Sequence, residues 1–295
     1  MRSFQYLTDT DLAWIYWPPL VAGLAIALAC AVLSVFVVGK KLAFVGQGVS
    51  HAAFGGVGVA MLAVALAGVG AGTAAGSLLI QTVVLVFSIG AAVLIAQLSR
   101  RGTGVEADTA IGIVLVASMA IGFLLHAEAA EVAASNGLER GPGIESVLFG
   151  SIIGVGWWGA GVAWAVALLV AAVVGLMRRQ LVFWAFDEPV APAFGVPAGA
   201  VRIVVLVLVA LAIVSTMRLA GVVLTTAMLV LPGATALQLS DRLRSVLCLS
   251  MIAGVASVGI GVLASMELDA QVGPVIVLVL CGLFGMARLL AVVRN

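Results

Sequence analysis

LAFVGQGVSHAAFGGVGVA, residues 42–60, is the stretch on which the reading of this chain turns. It holds no Asp, Glu, Lys or Arg and continues through MLAVAL to Leu66. A bilayer core about 30 Å thick takes roughly 20 apolar residues at 1.5 Å rise, so this run is long enough to cross one. Inside it sits His51, about nine residues from the Lys40-Lys41 end, or roughly 13 Å into the hydrocarbon. An ionisable group is costly there and normally faces a cavity or a partner. Gln47 lies one helical turn before His51, and Ser50 three residues after Gln47, which puts the three on one stripe continuing through Gly55. Glycines 46, 48, 55, 56 and 58 let a neighbouring helix or an ion path come close to this backbone. Two readings follow. His51 and Gln47 either hydrogen-bond a neighbouring helix as polar glue, or act as ligands, since neutral imidazole commonly binds first-row divalent metals.

The rest of the chain resembles this run in composition. Of 295 residues, 64% are hydrophobic and 9% charged, and the mean hydropathy is +1.29. A soluble domain of that length cannot hide so much apolar surface, so lipid is its solvent. The formal net charge of +1 gives no basic field for nucleic acid. The same ruler yields spans near 18–38, 43–66, 77–98, 109–126, 157–177, 200–217, 219–239, 245–265 and 271–290. The stretch 147–158 reads as a re-entrant or interfacial helix. Residues 1–14 lack the pattern of a cleaved signal, so the first apolar run reads as a retained span.

Lys40-Lys41, Arg100-Arg101, Arg178-Arg179 with Arg202, Arg242 with Arg244, and Arg288 with Arg294 fall in alternate connections. Placing these in the cytoplasm puts the N-terminus outside and the C-terminus inside, leaving only Arg2, Arg140 and Arg218 outside. The outer connections carry Glu128, Glu131, Glu139, Glu145, Glu267 and Asp269. One of them, Ala127 to Ser146, is acidic and contains Gly-Pro-Gly at 141–143, a turn signal. The other long connection, 178–199, is cytoplasmic. Its prolines 189, 192 and 197 exclude a long helix, while Phe186, Val190 and Phe194 recur at helical spacing. A short helix at the membrane surface is expected there, with Asp187 and Glu188 near its start and Gly195 turning the chain at its end.

Beyond His51, polar groups in the spans are few. His126 ends the fourth span and reads as interfacial, with an acidic outer vestibule as the functional alternative. The seventh span carries Thr225, Thr226, Pro232 and Thr235. Pro232 removes a backbone donor and bends the helix, which makes this a reasonable place for a gate. Met228 reads as an apolar packer, as do Cys30, Cys248 and Cys281, which lie in apolar runs without C-x-x-C spacing. No Gly-rich loop leading into Lys-Ser/Thr appears, and no connection is large enough for an ATPase, so ATP is not expected to bind this chain. Nor do the spans hold the Ser/His or paired-Asp groups of an intramembrane protease.

Four places, GQGVSHAAFGG (46–56), ADTAIGIVLVASMAIG (107–122), VLFGSIIGV (147–155) and the block from FDEPVAPAFGV (186–196) to LAGVVLTTAMLVLPGATA (219–236), together identify a resemblance. The chain resembles the permease subunits of the zinc, manganese and iron ABC importers. The resemblance implies an all-α, polytopic bundle related to the B12 and siderophore importers, with residues 1–295 forming a single permease domain in the cell membrane. It implies a non-catalytic homodimer that passes a divalent metal ion, with ATP used by a separate cytoplasmic subunit and the metal delivered by an extracytoplasmic receptor protein. No permanently bound cofactor is expected. His51 matches the histidine of the family's intramembrane acid–histidine pair, whereas Gln47 stands where the family offers an aspartate or similar acid. Phe186, Asp187, Glu188, Val190, Phe194 and Gly195 fall where the family's coupling helix meets the ATPase. The alternative is a secondary transporter or channel working without ATP. A B12- or siderophore-type permease would need more polar groups for its large substrate.

Overall fold

The computed structural model describes residues 10–99, 104–138, 155–186 and 191–294. Among these the regular structure is helical: α1 (Thr10–Gly39), α2 (Ala43–Leu66), α3 (Ala74–Leu98), α4 (Ala107–Ser135), α5 (Trp157–Leu176), α6 (Arg178–Phe186), a 3₁₀ turn (Ala191–Phe194), α7 (Ala198–Leu239), α8 (Leu243–Leu268) and α9 (Val272–Arg294). Nine segments of the described residues are long and apolar enough to cross a bilayer, and each overlaps one of the nine runs read from the sequence.

α7 supplies two of those segments. Gly221 has φ +70 and ψ 177, a conformation that side chains disfavour, and it separates an arm Ala198–Met217 from an arm Gly221–Leu239. The hydrogen bonds show that the arms fold back on each other. Arg202 Nη1 in the first arm donates to the Ser99 carbonyl (2.6 Å) beyond the end of α3. The Gly233 N–H in the second arm donates to Ser34 Oγ (2.6 Å), near the end of α1. Since α1 and α3 both end on the Lys40 side, so do the outer ends of both arms.

α1 and α7 form the middle of the bundle, with α2, α5, α8 and α9 laid against one or both. Burial is uneven among the spans: 72% of the apolar window of α2 is buried and 67% of that of α1, but only 22% of that of α9. The side chains left outside include Leu124, Leu168, Leu278 and Leu289, all exposed and all apolar. In water such a surface would drive association; against lipid tails it is the expected exterior.

Polar backbone ends are managed locally. Thr73 Oγ1 accepts from Gly76 N–H (3.0 Å) and caps α3. Lys41 adopts φ +57 and lets Leu42 N–H return to the Val37 carbonyl (2.9 Å), closing the turn between α1 and α2.

Two expectations need correction. α4 does not stop at residue 126 but runs to Ser135, so Glu128 and Glu131 sit on a helix and not in a connecting loop. Alanine-rich sequence favours helix whatever its hydropathy, and here Ala129 and Ala133 are buried while both glutamates face outward. The continuation is tied down where Asn136 Nδ2 donates to the Ala65 carbonyl (3.0 Å). Secondly, the described α-helix of the connection 178–199 is Arg178–Phe186, ending at the first of the three residues expected on the surface helix. Residues 141–143, the stretch 147–154, and Asp187, Glu188 and Val190 lie outside the described residues.

Candidate ion path and coupling surface

α2 is packed on three sides through its glycines. A Cβ placed on Gly58 would stand 2.8 Å from Gly122 Cα, so α2 and α4 cross with their backbones nearly touching. Gly56 is pressed against Val84 and Phe87 of α3, and Gly46 faces Leu229 of α7. The side left uncovered carries Phe44, which is 58% exposed, and Gln47, also exposed, with His51 half-buried one turn further in. His51 Nδ1 is buried and has no hydrogen-bond partner among the described residues.

The stripe expected from spacing is therefore narrower than its sequence suggests. Gln47 and His51 share the open side. Ser50 is fully buried and donates to the Gly46 carbonyl (2.7 Å), so its hydroxyl is committed to its own helix. Gly55 is buried against the Ser118 carbonyl of α4. The 100° step between consecutive helical residues explains the split: Ser50 and His51 are neighbours in sequence but point a quarter-turn apart.

The second arm of α7 borders this side. Thr226 is half-buried beside Gly46, and its hydroxyl donates to the Val223 carbonyl (2.9 Å). Thr225 is fully buried and donates to the Gly221 carbonyl (2.8 Å), bracing the helix just after the break. Met228 is 1% exposed and packs in the core, as expected for an apolar filler.

Pro232 lies inside the helical arm, and the non-helical φ/ψ of α7 occurs at Gly221. What surrounds Pro232 was not legible from its own span. Ser34 of α1, fully buried, accepts from Gly233 N–H and donates to the Val230 carbonyl (3.2 Å). A side chain at Gly233 would collide with the Ser34 backbone. One serine hydroxyl thus stitches α1 to the helix where proline has interrupted its hydrogen bonds. Ser34 and Gly233 are 199 residues apart, and an isolated serine in an apolar run gives no sign of such a partner.

At the Lys40 end, α6 and the 3₁₀ turn form a compact platform. Trp184 and Leu181 are buried beneath it, and Lys40 Nζ lies over the Trp184 ring, 5.0 Å from its centroid. Phe194 stacks on Phe183 (4.9 Å between centroids), with the Arg179 guanidinium 6.0 Å from the Phe183 ring. Phe194 remains 52% exposed, and Gly195, at φ +72, turns the chain immediately after it. Phe194 and Gly195 are thus placed at a surface.

At the opposite end, His126 is half-buried, with Glu128 and Glu131 exposed beyond it. Among the described residues no group of three or more His, Cys, Asp or Glu side chains is gathered as a metal cage.

Comparison with known proteins bears on this arrangement. Residues 15–291, nearly the whole chain, match the ABC 3 transport family. The chain belongs to that family. It is 31% identical over 290 residues to the manganese transport system membrane protein MntC of Halalkalibacterium halodurans, covering 97% of this chain and 91% of that one. It is 28% identical to a probable iron transport system membrane protein of Haemophilus influenzae over 93% of each chain. Among solved structures, PsaBC from Streptococcus pneumoniae in complex with Fab superposes with a TM-score of 0.77 at 22% identity, covering 100% of this chain and 99% of that one. The all-α ABC-permease fold and the multi-pass membrane character expected from sequence are those of the family.

Proposed function

We propose that this ABC 3 family member is the membrane-spanning permease of an ATP-driven importer for divalent metal ions of the zinc, manganese and iron group. The observation that carries the reading is the placement of His51 and Gln47. They occupy a side of α2 that the described residues leave uncovered, in a span otherwise among the most deeply packed. An ionisable side chain within a span is costly in lipid and is a functional suspect by default. The manganese and iron systems of the relatives supply the substrate class.

Two copies facing each other across this side would enclose a path lined by two imidazoles and two amides. The ion enters from a receptor protein at the Glu128 and Glu131 end and leaves at the Lys40 end. There an ATPase subunit docks against the coupling segment 186–196, using Phe194 and its neighbours Phe186, Asp187, Glu188, Val190 and Gly195. The basic ends of the spans lie in the cytoplasm, with the N-terminus outside and the C-terminus inside. Rearrangement of the second α7 arm, at Thr225, Thr226 and Pro232, gates the path.

Affinity purification of the tagged permease from its own membranes tests the proposal. A stoichiometric ATPase subunit is expected with it, and uptake by reconstituted vesicles is expected to require that subunit and ATP. Metal uptake by vesicles holding the permease alone would replace this reading with a channel or secondary transporter.

A further inference from the structure

Resting on the permease reading, we infer that the ion favoured by the intramembrane site is zinc rather than manganese, and that Gln47 sets this preference. The chain has 13 Asp and Glu residues, and none lies in the middle of a span. Within the spanning helices they sit at the ends: Asp108 in the first turn of α4, Glu128 and Glu131 in its last turns, and Glu267 at the end of α8.

Among the described residues, several other candidate donors of α2 and of the second α7 arm are buried. The Ser50 hydroxyl bonds Gly46 and the Thr225 hydroxyl bonds Gly221, both buried, while Met228 is sealed in the core. Thr226 could add at most one neutral oxygen. The ion is therefore met by imidazole nitrogen and amide oxygen, with no carboxylate to offset its charge.

That donor set discriminates. Manganese is best served by carboxylate, carbonyl and water oxygens and forms the weakest bonds of the divalent series to nitrogen. Zinc binds imidazole strongly and accepts few ligands at tetrahedral geometry. Without a negative charge from the protein, the bond to nitrogen must offset more of the lost hydration. The metal with the stronger nitrogen bond gains. An aspartate at position 47 would restore the hard anionic oxygen and shift the balance toward manganese.

The test is equilibrium dialysis of the purified permease–ATPase complex against equimolar Zn²⁺ and Mn²⁺, with bound metal counted by mass spectrometry in wild type, His51→Ala and Gln47→Asp. Metal lost in His51→Ala defines the site. The His51-dependent zinc is expected to exceed manganese by about tenfold or more, and Gln47→Asp to raise the manganese share by about tenfold. Manganese held at or above zinc in the wild type overturns the inference, as does a ratio unmoved by Gln47→Asp in an assembled complex. If Gln47→Asp fails to assemble, the wild-type ratio decides. ATP-driven uptake by vesicles, measured in parallel, reads the permease proposal separately. Uptake with a manganese-preferring site discards this inference alone, and no uptake of either metal discards both.

Discussion

His51 and Ser34 are two polar residues in neighbouring spans, and they differ in what their sequence context reveals. An ionisable side chain in the middle of an apolar run is conspicuous because lipid makes it expensive. Its partner one turn away, Gln47, could be found by counting. Ser34 is inconspicuous, because serine is small, common in spans, and able to satisfy itself on its own helix. Its role is set by a backbone N–H on α7 that only the fold brings near. Two predictions belong at this scale. His51→Ala should remove metal uptake while leaving expression and ATPase association unchanged; normal uptake at equal expression would return His51 to polar glue. Ser34→Ala should leave Gly233 N–H without an acceptor and cost about 1 kcal/mol. Thermal unfolding in detergent should show that as a midpoint roughly 2–4 °C lower, and an unchanged midpoint would mean the clasp contributes nothing.

At the level of helices, length and hydropathy located every crossing but the fourth to within a few residues, because a bilayer is a ruler. The rule fails where a helix leaves the membrane. α4 continues past its apolar run because alanine keeps it helical in water. The reversal of α7 at Gly221 shows only as a glycine near a charged residue, a pattern too common to single out. In the connection 178–199, helical spacing of Phe186, Val190 and Phe194 pointed to a surface element, but the described α-helix ends at Phe186, the first of the three. The ring of Phe194 instead returns onto Phe183 through a 3₁₀ turn. Phe194→Glu should weaken ATPase co-purification or uncouple ATP hydrolysis from uptake, without changing the melting of the membrane bundle. Retention of both functions would remove Phe194 from the coupling surface. The crossing of α2 and α4 predicts a different outcome for Gly122→Val. Forced branching at a place where a Cβ meets Phe54 and Gly55 should cost about 1–3 kcal/mol and lower the melting point together with transport.

For the whole molecule, alternation of basic connections and the folded hairpin of α7 agree with each other. Lys40 against Trp184, Arg202 against Ser99, and Arg288 donating to Gln238 (2.9 Å) all lie at the ends that the charge rule assigns to the cytoplasm. A reporter fused after the last residue should accordingly be reachable only from the cytoplasm, and labelling from outside intact cells would reverse the orientation. In the proposed homodimer, a second copy facing the open side of α2 would close the path. The claim that ties these scales together is ATP-driven passage of a metal ion past His51. It is tested most directly by loading vesicles that contain the permease and its ATPase with ATP, supplying receptor-bound zinc outside, and following zinc entry in wild type and His51→Ala. Entry is predicted to require ATP and to vanish in His51→Ala while ATPase association persists. Zinc entry that proceeds without ATP, or equally well without the histidine, would contradict the account.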